Sequence, residues 1–420
     1  MIRLALVLSV ALAPCIAMAG THPTPVQARD PVQATLQAAL ARAERADAVG
    51  GSPIPVGATL RPSGVDARVP LLRERLDTFG IAAPAGDATP VAAVAVVDAD
   101  VPSDDDGVVV AEGPVVPVDD LVGPVAPATL VYDDALTRRI RVLQTRWGLK
   151  DDGVVGRRTL RALNFTPADE ARALRQTLAR YQPPPAHGKS IVVNVPTAEI
   201  IAFENGVEVM RTRAVVGSMQ TQTPLIESNM TAVKYNPDWT VPPGLTKKYK
   251  GLMAAGRSDE VRKHGVVVRT PDGQTYDVSQ VPADMVGSGG WRFWQPPGDA
   301  NALGLLKFEL DNDQAIYLHD TNNRRLFATD NRAVSNGCIR VEDYLGLAAW
   351  VLGIDIPSVE QAIATGRTHF ARVPGRIPVR MTYYMAYPDK LGGIRYGEDV
   401  YGLAAETAEV PRPPRPRARL

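Results

Sequence analysis

The feature that most constrains this fold is a change of hydrophobic period at Lys189. Ahead of it, apolar residues recur at helical spacing. Beyond it, Ser190-Ile191-Val192-Val193-Asn194-Val195 and Ala198-Glu199-Ile200-Ile201-Ala202-Phe203 read as strands. Glu204-Asn205-Gly206 predicts a tight hairpin before a third strand over Val207 to Val216. Helical units followed by a mainly β domain make an α+β multi-domain chain, and 420 residues hold two or three cores.

The helical part has its own divisions. Gln33 to Asp47 has helix-forming composition with Leu36 and Leu40 on one face, and a second helix starts at Val69 with Leu72, Leu76 and Phe79. From Arg75 to Arg138 there is no intervening Lys or Arg, and residues 82–131, rich in Ala, Val, Pro and Asp, read as an acidic linker expected to be disordered. Periodicity returns in Asp134 to Asn164: Ile140, Leu143 and Trp147 share one face, Gly148 ends that helix, and Thr159, Leu160 and Leu163 open another. Asp152-Gly153 between them lacks the alternating acids and closing Glu of a calcium loop. Ala168 to Tyr181 predicts a further helix, stopped by Pro183-Pro184-Pro185.

Balanced charge, 46 basic against 46 acidic residues, excludes a global field that recruits nucleic acid. Met1-Ile2-Arg3, the apolar run Leu4 to Ile16 and Ala17-Met18-Ala19 read as a cleavable signal over 1–19, which implies export to the periplasm. No later stretch approaches the ~20 apolar residues of a membrane span. Removing the signal removes Cys15 and leaves Cys338 as the one thiol. Pro14 directly before Cys15 argues against lipid attachment there.

That thiol sits in a suggestive neighbourhood. Ile316-Tyr317-Leu318 reads as a short buried strand ending at His319-Asp320, Thr321 to Asn331 as a polar loop, and Ser335-Asn336-Gly337-Cys338-Ile339-Arg340 follows. A thiol near its ordinary pKa of ~8.5 is only a few per cent thiolate at neutral pH, so a nucleophile needs a base, and His319 is the candidate. Gly337 permits a tight turn that brings backbone N–H groups to an oxyanion, and Arg340 is placed to hold a carboxylate bidentately. Residue types alone leave open a buried structural cysteine beside a satisfied histidine. An unpaired thiol in an oxidising compartment favours the nucleophile.

His319 with Ser335-x-Gly337-Cys338-Ile339-Arg340 resembles the signature of the L,D-transpeptidases, the YkuD-type catalytic domain that crosslinks bacterial peptidoglycan. Asn194-Val195-Pro196, Val216-Gly217, Thr223-Pro224, Asn236-Pro237-x-Trp239-x-Val241-Pro242-Pro243 and Asn301-Ala302-Leu303-Gly304 extend the resemblance, toward the family's larger multi-domain branch. Many members have His where this chain has Asn336, so the base role falls on His319 alone. Leu143-Gln144, Gly148-Leu149, Asp152-Gly153-Val154-Val155-Gly156 and Thr159-Leu160 resemble a three-helix peptidoglycan-binding module over 132–165.

The resemblance implies a scaffold domain split between 33–81 and 351–403. It implies a connecting helix over 166–188 and a catalytic domain over 189–350, with a cap insertion at about 243–297. A basic Pro-rich tail over 404–420 completes the chain. In the implied reaction the Cys338 thiolate attacks a tetrapeptide donor and expels D-alanine. His319 shuttles protons, backbone groups near Gly337 and Asn336 hold the oxyanion, and Arg340, Ser335 and Tyr317 touch substrate. An amine on a neighbouring stem peptide then completes a 3→3 crosslink. Water as acceptor would make an L,D-carboxypeptidase; a non-catalytic wall-binding protein is the third reading. Carbapenems are the implied covalent inhibitors. No cofactor or metal is expected, and His264 reads as a structural residue of the cap.

Overall fold

A computed structural model describes residues 30–46, 52–82, 127–389 and 392–404. The signal segment, most of the acidic linker and nearly all of the basic tail lie outside the described residues. Among those described, no single helix is long and apolar enough to cross a membrane.

The fold is mixed α+β, built on a nine-stranded sheet that closes on itself. Its first strands are β1 (Lys189–Asn194), β2 (Glu199–Glu204), β3 (Val207–Gly217) and β4 (Glu227–Tyr235), with β9 (Leu306–Leu310) and β10 (Leu318–His319) later in the chain. The last are β11 (Ala333–Ser335), β12 (Ile339–Val341) and β13 (His369–Thr382). Their order is β11-β3-β12-β10-β9-β4-β13-β1-β2, and β2 pairs back onto β3. β3 makes closure possible because it is long: its first half pairs with β2 and its last residues with β12 and β11. Asn205 and Gly206, at φ 52° and 79°, form the turn between β2 and β3, which is why this hairpin was legible in sequence.

β1 and β2 are buried on both faces. Val193 and Ile200 point into the main core, whereas Val192, Ile201 and Phe203 point outward against Val32, Tyr181, Tyr384 and Tyr387. The outer cover comes from α1 (Pro31–Ala46) and α5 (Pro167–Arg180), which pack on each other, and from β14 (Ala386–Pro388), paired with β15 (Ile394–Tyr396).

This arrangement corrects the expected scaffold. Its N-terminal part does not hold together: α1 joins the barrel, while α2 (Val69–Thr78) joins α3 (Asp134–Arg146) and α4 (Arg157–Leu163) in a separate core around Leu72, Leu76, Ile140, Leu143 and Leu163. The helical module is therefore completed by a helix from before the acidic linker. Nor does the catalytic domain end at Trp350. β13 lies between β4 and β1 as an interior strand, with Val379 and Ile377 buried, so 369–382 belongs to the barrel. The motifs that carry the resemblance end at Arg340, ahead of β13.

The cap has its own four-stranded sheet, β5 (Trp239–Thr240), β8 (Arg292–Gln295), β6 (Val267–Arg269) and β7 (Thr275–Asp277) in that order. With α6 (Pro243–Ala254) and α7 (Ser258–Lys263) it encloses a third core around Val261, Val268 and Phe293. It starts at Trp239, a few residues before the expected boundary. Beyond β12, α8 (Tyr344–Leu352) is capped by Asp343 and ends at Gly353 with φ 70°, then α9 (Ile356–Ala364) leads into β13.

Candidate active site

Two short parallel strands position the site. β10 and β12 pair with Leu318 opposite Ile339 and His319 opposite Arg340. Alternation then sends Leu318 and Ile339, both fully buried, into the core, and places Tyr317, His319, Cys338 and Arg340 on the other face. Ile339 N–H donates to Tyr317 O at 3.1 Å, which seats Cys338 beside Tyr317. The strand begins later than the sequence suggested: Ala315 has φ 55° and the Asn312 amide bonds both the N–H and the carbonyl of Ile316, so the chain is still turning there.

The turn that carries Cys338 is fixed by side chains. Ser335 Oγ donates to Cys338 O at 2.6 Å and accepts Gly337 N–H at 3.1 Å. Thr223 Oγ1 donates to Gly337 O at 2.8 Å and accepts Gly217 N–H at 2.9 Å. Tyr401, from the C-terminal segment, donates to Gly217 O and accepts Thr223 N–H. Gly337 takes φ 108°, a conformation that a side chain would strain. Two expectations change as a result. Ser335 is 4% exposed with its hydroxyl engaged inside the turn, so it builds the site rather than touching substrate. The Gly337 N–H is likewise taken and is not a free oxyanion donor. Asn336 is exposed at the turn's edge.

Cys338 is half-buried, and burial pushes its thiol up from the ordinary value despite the Tyr317 backbone and hydroxyl, Lys307 and Arg340, which all favour the thiolate. Its Sγ lies 3.7 Å from Ala315 O. His319 is 5% exposed, and burial, with added repulsion from Arg340 and Lys307, pushes its imidazole down to about 3. Its Nδ1 faces Asp320 O, and the Leu303 carbonyl also bonds the ring. A neutral ring donates to only one carbonyl, so one nitrogen keeps a basic lone pair. The site thus rests as neutral thiol and neutral imidazole, without a hydrogen bond between them.

This has a measurable consequence. In the unfolded chain an imidazole binds a proton near pH 6.5, whereas folded His319 does so only near 3. The group therefore favours the folded state above 6.5, and that contribution is lost as pH falls from 6.5 toward 3. Urea denaturation at pH 7 and pH 5 should show wild type losing about 2 kcal/mol more than His319→Asn.

The sequence reading missed Lys307, Trp239 and the Asp320 carboxylate. Lys307 pairs with His319 across β9 and β10, and its ammonium lies 4.1 Å from the Tyr317 ring centroid. Trp239 bonds the Tyr317 hydroxyl, which also meets the Cys338 thiol. Only the strand register finds Lys307. Asp320, 1% exposed, accepts Leu305 N–H at 2.9 Å and pairs with Arg324 at 2.9 Å. Gly304, at φ 62°, leaves room for that carboxylate: a Cβ there would lie 2.2 Å from Asp320 Oδ2. Gly304→Ala should therefore shift Asp320 and, through its carbonyl, His319. Strain plus overpacking should cost on the order of 2 kcal/mol in a denaturant melt.

Arg340 is mostly buried, yet its contacts are few: Nη1 reaches Thr321 Oγ1 at 3.4 Å, Nε has no partner, and no carboxylate pairs with it among the described residues. His264 lies away in the cap, exposed and stacked on Tyr249 at 5.9 Å. Two cavities of about 610 and 460 Å³ lie between the helical module and the barrel and touch neither Cys338 nor His319.

Residues 188–380 match the L,D-transpeptidase catalytic domain, YkuD, and residues 121–163 match a family described as "Putative peptidoglycan binding domain". A Haemophilus influenzae protein named "Putative L,D-transpeptidase" is 30% identical over 257 residues, 59% of this chain and 52% of that one. The chain thus spans about half the length of that relative. Among solved structures, L,D-transpeptidases of Stackebrandtia nassauensis and Xylanimonas cellulosilytica share 12% and 13% identity. The first overlaps 79% of this chain and 97% of its own at TM-score 0.28, the second 78% and 99% at 0.25. Residues 188–380 thus form a catalytic domain of the YkuD L,D-transpeptidase family, with a peptidoglycan-binding domain ahead of it.

Proposed function

We propose that the protein is an exported L,D-transpeptidase that forms 3→3 crosslinks between peptidoglycan stem peptides through an acyl-enzyme on Cys338. The observation that carries the reading is the common face of β10 and β12, where thiol, imidazole and an unpaired guanidinium stand together inside a domain of this family. Export to the periplasm rests on the signal-type start ending at Ala17-Met18-Ala19.

Because both partners rest neutral, His319 acts as a general base during attack instead of holding a preformed thiolate. Donor entry displaces the thiol from Ala315 O and turns Sγ toward the imidazole nitrogen that carries no proton. Sγ bonds the carbonyl carbon after the third stem residue while its proton passes to His319. The tetrahedral intermediate collapses, and the same proton leaves on the amine of the departing D-alanine. Arg340 holds a donor carboxylate, and the Tyr317 hydroxyl lies beside the reacting sulfur. An acceptor amine then takes the acyl group and frees the thiol.

Mass spectrometry of muropeptides after incubation with purified tetrapeptide-bearing peptidoglycan tests this. D-alanine release with 3→3 dimers is expected. Release with tripeptides alone would make the protein a hydrolase, and no release would overturn the reading.

A further inference from the structure

The segment joining His319 to Cys338 is held from outside the barrel, by the helical module. Lys150 N–H donates to Asp330 Oδ1 at 2.6 Å, and Arg158 Nη1 donates to Asp330 O at 2.7 Å. Arg332 returns the contact. Its guanidinium donates to Gly148 O at 3.1 Å, at the end of α3, to Thr197 O at 3.0 Å, between β1 and β2, and to Thr329 O at 3.3 Å.

Arg332 is an expensive residue to place there. It is 7% exposed, its Nε has no partner, and no carboxylate pairs with it among the described residues. Glu199, Asp330 and Glu342 offset the desolvation only from a distance, so its use here is geometric: one rigid fork serves three carbonyls from three parts of the chain. The backbone continues the connection. Arg332 O accepts Val216 N–H at 2.8 Å and starts β11, and β11 ends at Ser335, whose hydroxyl holds the Cys338 turn.

We propose that Arg332 is a positioning residue through which the docked helical module sets the nucleophile turn, so that weakening the docking slows acylation of Cys338. This rests on the assignment of Cys338 as nucleophile. It couples engagement of the module, by whatever wall polymer it holds, to reactivity at Cys338.

The test uses the full chain, intact-mass spectrometry and a carbapenem, with the first-order acylation step resolved from half-saturation. Arg332→Lys keeps the charge but loses the fork. Arg158→Ala removes the contact to Asp330 O from a more exposed position, so it serves if Arg332 variants fold poorly. Both should slow the first-order step five-fold or more at an unchanged half-saturating concentration. Alkylation of Cys338 by iodoacetamide, which needs no aligned turn, should stay within two-fold. Wild-type acylation rates in both variants would overturn the inference, as would equal losses in acylation and alkylation, which mark general unfolding. Wild type that forms no adduct would instead refute the nucleophile assignment.

Discussion

Replacing His319 by Ala should slow acylation of Cys338 by roughly 10²- to 10⁴-fold, the usual range for losing a general base. The size follows from the electrostatics of the site. Burial raises the thiol and leaves the imidazole neutral, so little thiolate stands ready to react without proton transfer. A site with a preformed ion pair would lose less at high pH. Here the residual rate of His319→Ala should climb with pH into and beyond the ordinary cysteine range, while wild type stays comparatively flat. His264→Ala should leave the rate within two-fold, because His264 stacks on Tyr249 in the cap. Stopped-flow acylation across pH separates these outcomes.

How far this was legible in sequence differs from part to part. The strands β1 to β3 were readable because their apolar run and their Asn205-Gly206 turn are local signals. Helices α1 to α5 were readable from period and caps. What sequence could not show is where distant pieces meet. Nothing local in Val69 to Thr78 says that it completes a core with residues 134–163, or that His369 to Thr382 enters the barrel between β4 and β1. Burial on both faces of β1 was visible as the run Ile191-Val192-Val193, but the aromatic cover from Tyr181, Tyr384 and Tyr387 was not. At the site, Cys338, His319, Tyr317 and Arg340 were named and do share a face. Ser335 turned inward because the Cys338 turn needs its hydroxyl, and Lys307 depended on a strand register that no motif encodes.

Arg340→Met should move stability and activity in opposite directions. Its guanidinium is desolvated, and burial draws its pKa down, with no carboxylate among the described residues to compensate. A side chain of similar length without charge removes that penalty, so the melt should show a gain of about 1 kcal/mol or more. If the charge waits for a donor carboxylate, the same change loses a charge-assisted hydrogen bond of about 1.5–3 kcal/mol, roughly 10- to 100-fold in kcat/KM. The loss should fall mainly on donors with a free carboxylate and be small for their amides. A variant that is less stable, or equally active on both donors, would assign Arg340 a structural role.

The proposed function puts the acyl group on Cys338 Sγ. A carbapenem presents a strained amide where the donor carbonyl would sit, so it reports the first half-reaction alone. Intact-mass measurement of wild type and Cys338→Ser after carbapenem treatment tests the claim directly. One covalent adduct is expected on wild type, mapped by peptide digestion to Cys338, and none on Cys338→Ser. An adduct that forms on Cys338→Ser at the wild-type rate would contradict the assignment of Cys338.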